Sequence, residues 1–209
     1  MVQAFVGSLS RWFAGGDEAE AVRLRAGVER WREDLRGSVA EKVAEQLSWD
    51  EQSPCAERFD LGEAGWTSLR LFAFYAERSD LDWPDTAPEP LELDRHWRAA
   101  VDAKFGKSLY GQLLVCDLWL PGEFPVTVRA PRPDGAAAEI GSLQVLSDQL
   151  AWLNQRTFQA DQEAVAGWRG QPAPAGAPLL QAARRGYAAL AAACARACEA
   201  RLPLTVAVR

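Results

Sequence analysis

The only histidine of the chain, His96, is the first residue to consider for acid–base chemistry. A catalytic histidine needs a carboxylate that orients it and a nucleophile within reach. Asp94, two residues earlier, would point to a different face of a helix, whereas Glu92, four residues earlier, would share a face with His96. A glutamate and a histidine at this spacing also make an ordinary surface contact. The pattern therefore predicts a place on a helix surface for His96 and no catalytic residue.

Two of the four cysteines, Cys194 and Cys198, lie one helical turn apart and would share a helix face. Zinc requires four ligands, and the chain offers only one histidine and two distant cysteines to complete such a set. Thiols in apolar or alanine-rich segments behave as small hydrophobic side chains. We therefore expect reduced thiols, no metal and no cofactor, as is usual in a reducing compartment.

The segment Asp80 to Asp85, with the sequence DLDWPD, places three carboxylates at short spacing around Trp83. It lacks the turn glycine and the terminal glutamate of an EF-hand calcium loop. A large apolar ring beside carboxylates suits contact with a basic protein, because the ring can anchor it and the negative field attracts it. The candidate partner-binding residues are Asp80, Asp82, Trp83 and Asp85.

No glycine pattern of the chain matches a phosphate-binding loop, a dinucleotide-binding fingerprint or a nucleophile elbow. The segment Gly106-Lys107-Ser108 is similar to the end of a phosphate-binding loop, but the first glycine of that motif would fall at position 101, which is a valine. Helix ends and turns account for these glycines.

The charge of the chain is distributed unevenly along its length, although the net charge is only −6. Residues 50–94 carry twelve acidic side chains against three arginines, whereas residues 95–209 carry nine acidic and thirteen basic side chains. An acidic middle region repels phosphate, so the sequence disfavours binding to nucleic acid. It favours a basic protein as the partner.

The chain contains nine tryptophans, and those on apolar stripes are expected in the core. Trp119 precedes the turn Pro121-Gly122-Glu123, where it could lie at the lip of a pocket or, alternatively, in the core. A second hypothesis is thus an enzyme or a small-ligand-binding protein with a carboxylate, arginine and tryptophan pocket near residues 112–129. The candidate pocket residues are His96, Asp117, Trp119 and Glu123.

Apolar periodicity, turn residues and capping residues predict the elements that would position these side chains. A capping box is predicted at Ser38 and Glu41, residues 65–76 are assigned to a helix with a buried strand as the alternative, and residues 112–120 and 124–129 are predicted to form a hairpin. Loops are predicted at 48–64, 79–90 and 129–135, and a final strand at 204–208. Further helices are predicted at 2–13, 17–47, 93–105, 140–153, 161–168 and 179–201.

The sequence as a whole predicts a mainly α protein with a small antiparallel β-sheet, of the α+β class. We expect one compact domain over residues 1–209, with a weak boundary conceivable only at the Pro/Gly-rich segment 170–178. The N-terminus lacks the pattern of a secretory signal, and no apolar run reaches the ~18 residues of a membrane span. We therefore expect a cytoplasmic, non-catalytic adaptor or inhibitor protein that contacts a basic partner through residues 50–94 and has no membrane contact.

Overall fold

A computed structural model of the chain describes residues 1–208. The strands are β1 (Val2–Gly7), β2 (Ala56–Asp60), β3 (Leu118–Leu120), β4 (Val128–Pro131), β5 (Ala137–Ser142) and β6 (Leu204–Val208). The helices are α1 (Leu9–Phe13), α2 (Glu18–Ser38), α3 (Glu41–Ala44), α4 (Glu63–Tyr75), α5 (Arg95–Asp102), α6 (Gly111–Val115), α7 (Leu143–Leu153), α8 (Gln162–Trp168) and α9 (Leu179–Ala200). A 3₁₀ turn spans Leu91–Leu93, and a π-helical turn spans Asn154–Phe158.

The six strands form one mixed sheet in the order β2-β1-β6-β3-β5-β4. Strand β6 near the C-terminus pairs antiparallel with β1 and β3 and so joins the two halves of the sheet. Strands β3 and β5 run parallel, and β4 pairs antiparallel with β5 at the edge. The α+β class is confirmed, but the prediction of a small, purely antiparallel sheet is wrong.

The hairpin predicted from residues 112–129 does not form. Residues 111–115 are helical, and the antiparallel partner of β4 is β5 rather than β3. The side chain of Gln112 explains this outcome: its amide donates to the carbonyls of Phe124 and Val126, and its oxygen accepts from Ser142 N. The Gln112 side chain therefore binds backbone carbonyls that would have paired with the other strand of the predicted hairpin.

The predicted N-terminal helix is also wrong over its first half, because residues 2–7 form β1. Ala4 and Val6 lie on one face of this strand in the main core, whereas Phe5 lies on the opposite face, 5.3 Å from the ring of Trp12. Pairing on both sides, with β2 and with β6, requires an extended chain here. Only Leu9–Phe13 is helical.

Four smaller predictions need correction. Residues 129–131, predicted as part of a loop, belong to β4. Residues 56–60, predicted as irregular, form β2 at the sheet edge. The predicted capping box is absent, because Ser38 lies inside α2 and donates to Leu35 O, while Ala40 precedes α3. The predicted helix 140–153 begins only at Leu143, where the Ser142 side chain accepts from Val145 N.

The helix predicted at residues 65–76 is confirmed as α4, and it packs against α9 at a close crossing. Gly65 and Gly186 meet there, and a Cβ built on Gly186 would lie only 2.1 Å from Gly65 O. The hydrophobic core runs continuously through strands and helices on both sides of segment 170–178. Within residues 1–208, no helix is both long and apolar enough to cross a lipid bilayer.

Candidate functional site

The acidic region 50–94 divides into carboxylates that hold the fold together and carboxylates that remain in solvent. Glu57 forms an ion pair with Arg196, and Asp60 forms one with Arg185 at 3.1 Å. Asp94 caps α5 by accepting from two backbone N–H groups. Part of the acidity predicted as a docking surface is therefore neutralised inside the molecule.

The segment 79–90 keeps its charge exposed, as predicted for a loop. Asp80, Asp82 and Asp85 are exposed. In the part of the chain that the structure describes, their carboxylates make no hydrogen bond and no ion pair. Trp83 lies among them with 43% of its surface exposed.

The ring of Trp83 is held in place from below by two aromatic side chains of α4. Its centroid lies 4.9 Å from that of Phe72 in an edge-to-face contact and 6.2 Å from that of Tyr75. The loop is also tied to the start of α9, because Leu179 N donates to Asp85 O at 2.7 Å. We call residues 79–90 with this exposed ring the acidic loop.

The four candidate pocket residues do not come together in one site. Trp119 is fully buried, with its indole against Gly141, so its place is the core rather than a pocket lip. Asp117 forms an ion pair with Arg132 at 3.5 Å, and burial raises the pKa of its carboxyl group. The other two candidates, His96 and Glu123, lie apart from both of these residues.

His96 and Glu123 occupy separate surfaces. The Nε2 atom of His96 accepts from Arg95 Nε at 3.1 Å, and its ring lies edge-on to Tyr75. Glu123 lines a cleft of about 440 Å³ together with Arg201 and Cys198. The expected helix-surface place of His96 agrees with its position in the first turn of α5.

Cys198 is the thiol of this 440 Å³ cleft, and its neighbour Cys194 controls its ionisation. The neighbouring Cys194 thiol, one helical turn away, favours the thiolate of Cys198 and lowers the pKa of Cys198 below its usual value. The proximity of Cys198, together with burial, raises the pKa of Cys194 above its usual value. Because the thiolate is the nucleophilic form, reactivity should concentrate on Cys198.

We expect iodoacetamide to alkylate Cys198 before the buried Cys116, with a rate that rises with pH and reaches half its maximum below the pH typical of a free thiol. The replacement Cys194→Ala removes the neighbouring thiol, so the half-maximal pH should move up toward the ~8.5 of a free thiol. Peptide mass spectrometry over a pH series measures both values. The control Cys55→Ala should change neither, and a midpoint insensitive to Cys194→Ala would contradict the interpretation.

A second and larger cleft lies between the helices α4, α5 and α6 and the β4–β5 edge of the sheet. Its volume is about 620 Å³, within the ~300–1,000 Å³ of small-molecule sites. It lies near the segment where the second hypothesis places a pocket, but none of the predicted residues lines it. The residues that matter for its chemistry are Arg70, Glu92, Trp97, Lys104, Arg129 and Glu139.

Arg70 is the unusual residue of this cleft. Its Nε and Nη2 atoms donate to Leu114 O, and its guanidinium carbon lies 5.3 Å and 5.2 Å from the ring centroids of Trp66 and Trp97. Burial lowers its pKa to about 10, so the group still carries its charge at neutral pH. None of the ion pairs among residues 1–208 involves it.

The backbone at the rim of the cleft adopts an uncommon conformation. Lys104 and Phe105, two consecutive residues that are not glycine, have φ values of 53° and 48°. Such residues are uncommon, and they cluster at ligand-binding and active sites. Lys104 is exposed and Phe105 is buried, and both line the cleft.

Sequence reasoning missed this cleft because its residues are far apart in the chain. One signal was present: Arg70 interrupts the apolar segment 65–76, and a charge within a buried helix requires a specific environment. That signal identifies one residue, whereas the convergence of α5 and β4 on it depends on the tertiary fold.

The described residues 1–208 contain no group of three or more His, Cys, Asp or Glu side chains that could hold a metal ion. Comparisons of the chain with protein-family models, with curated proteins and with solved structures found no match.

Proposed function

We propose that this protein is a non-catalytic, intracellular binding protein that uses the acidic loop to hold a basic protein partner. One observation carries the proposal: Asp80, Asp82 and Asp85 are exposed around Trp83 and are not paired with any described side chain. Other carboxylates of the region, such as Glu57 and Asp60, are satisfied internally. The fold thus leaves these charges available in one short loop.

The support under Trp83 favours binding over simple solvation of a charged loop. An anchor residue contributes most when it is already held in its bound position, because less side-chain entropy is lost on association. Phe72 and Tyr75 hold the ring, and the hydrogen bond from Leu179 N to Asp85 O fixes the loop backbone. Exposed tryptophans of this kind are typical interface hot spots.

The test compares two triple variants that change the net charge equally. Asp80→Lys, Asp82→Lys and Asp85→Lys together reverse the acidic loop, whereas the control triple reverses three exposed carboxylates on other elements. The control residues are Asp34, Asp102 and Glu163. Basic proteins enriched from cells by the wild-type chain are purified, and their affinity for each variant is measured by calorimetry.

We expect the loop triple to abolish binding, because it places like charges opposite a basic surface, and the control triple to retain it. Trp83→Ala should weaken binding by about 2 kcal/mol or more with no change in charge. Higher salt should also weaken binding, since exposed charges are screened. Equal affinity for the wild type and the loop triple, or equal loss in both triples, would overturn the proposal.

A further inference from the structure

The cleft between α4, α5 and β4 combines a cation held by hydrogen bonds, an exposed cation and an apolar floor. The floor consists of side chains that are almost fully buried, among them Leu91, Trp97, Phe105 and Leu114. The cations Arg70 and Lys104 stand at this floor and at its rim. An apolar pocket with a few convergent polar groups is the usual form of a small-ligand site.

The charges of the cleft do not balance without a ligand. Arg129 and Glu139 approach each other to 3.8 Å and offset one another. Glu92 is exposed and makes no ion pair among residues 1–208, so Arg70 and Lys104 outnumber it. The excess of one positive charge among the lining residues favours an anionic ligand.

The contacts of Arg70 give a second reason to expect an anionic ligand. A cation that loses hydration normally gains a counter-ion, because a buried unpaired charge is costly. The direct contacts of Arg70 are instead a neutral carbonyl and two indole rings, whereas the carboxylates of Asp117 and Glu92 act on it without forming an ion pair. Its Nη1 atom makes no hydrogen bond within the described part of the chain. Guanidinium groups bind oxyanions through parallel N–H donors.

We propose that this cleft binds a small organic oxyanion, with an apolar body on the floor formed by Trp97 and Phe105 and its carboxylate or phosphate group between Arg70 and Lys104. This site is separate from the acidic loop and is independent of the function proposed above. The volume of about 620 Å³ accommodates a bicyclic ring with one charged group.

Calorimetric titration with three matched probes tests the proposal: 2-naphthoate, 2-naphthyl phosphate and the neutral 2-naphthamide. We expect saturable binding of at least one anion and about tenfold weaker binding of the amide, which is the contribution of one hydrogen bond to a charged group. The stronger of the two anions identifies whether the natural ligand carries a carboxylate or a phosphate.

Variants then locate the site. Lys104→Ala should weaken binding of the anion about tenfold, whereas the control Lys107→Ala, an equal charge change at an exposed residue outside the cleft, should leave it unchanged. Arg70→Met should abolish binding, with circular dichroism as the check on folding. If Arg70→Met does not fold, the comparison of Lys104→Ala with Lys107→Ala tests the location of the site.

Three results would overturn the proposal. They are the absence of saturable binding for both anions at millimolar concentration, equal affinity for the naphthoate and the amide, and equal weakening by Lys104→Ala and Lys107→Ala. Loss of binding to the basic partner in the acidic-loop variants would leave these results untouched, so the two proposals fail separately.

Discussion

The replacement Gly186→Ala is expected to destabilise the protein by about 3 kcal/mol or more, at the upper end of the usual cost of overpacking. A Cβ at Gly186 would lie 2.1 Å from the carbonyl oxygen and 2.6 Å from the carbonyl carbon of Gly65. Both atoms belong to the backbone of α4, which cannot move aside as a side chain can. The two helices must therefore separate.

The same replacement at the other glycine of the crossing, Gly65→Ala, provides a matched comparison. A Cβ at Gly65 would come no closer than 3.3 Å to Gly186, which is a much milder contact. Gly65→Ala should therefore cost roughly 1 kcal/mol or less. Gly27 in α2 has no neighbour within 4 Å of such a Cβ, and Gly27→Ala should be neutral or stabilising by about 0.5–1 kcal/mol. Urea unfolding curves measure all three free energies of unfolding. If Gly186→Ala stayed within about 1 kcal/mol of Gly65→Ala, the two helices would not cross as closely as described.

The same crossing bears on the acidic loop. Helix α4 carries Phe72 and Tyr75, which support Trp83, and α9 receives the loop through Leu179 N. A variant that separates α4 from α9 should therefore lower the affinity for the proposed basic partner even though it leaves every loop residue in place. Affinity is best compared only for variants that remain folded.

The second large effect is expected at Glu51, the one fully buried carboxylate of the acidic region in the described chain. One oxygen accepts from Leu9 N and Trp49 Nε1, and the other accepts from Ser10 N and Ser10 Oγ. The carboxylate thereby caps α1, whose preceding residue Ser8 supplies no side-chain cap. A negative group at a helix N-terminus is also favoured by the helix dipole.

Glu51→Gln should lower the free energy of unfolding by about 3 to 5 kcal/mol, because an amide group would replace an acceptor that faces buried donors. The shape of the side chain is nearly unchanged, so the loss reports hydrogen bonding rather than packing. Chemical denaturation monitored by tryptophan fluorescence measures the change. The exposed neighbour Gln52 is the control: Gln52→Ala should remain within about 0.5 kcal/mol of the wild type. A Glu51→Gln variant as stable as this control would show that the four contacts are dispensable.

Much of the helical structure could be predicted because its signals are local. Asp17 and Asp161 act as N-caps of α2 and α8, each accepting from a backbone N–H three residues later. The apolar residues of α4 repeat at helical spacing, and the prolines and acids of segment 79–90 exclude regular structure. These choices depend on residues within a few positions of one another.

The sheet could be predicted only in part, because strand pairing is decided by distant residues. The predicted strands include β6, β3 and the first two residues of β4, but not their partners in the sheet. Strand β1 is extended because it lies between β2 and β6, and no neighbour in sequence reveals those partners. Residues 112–115 have a composition compatible with a strand, yet Gln112 reaches Phe124 and Ser142 from a helix. Short apolar runs of this kind carry no unambiguous period.

The candidate sites also differ in whether neighbouring or distant residues determine them. The sequence alone identifies the acidic loop, because its carboxylates, its prolines and Trp83 are consecutive and need no partner to stay in solvent. Only the tertiary structure shows which other carboxylates of residues 50–94 form hydrogen bonds or ion pairs within the protein, such as those of Glu51 and Glu57. It also brings Arg70, Lys104 and Arg129 to one cleft, since three elements separated along the chain must pack before those charges can meet.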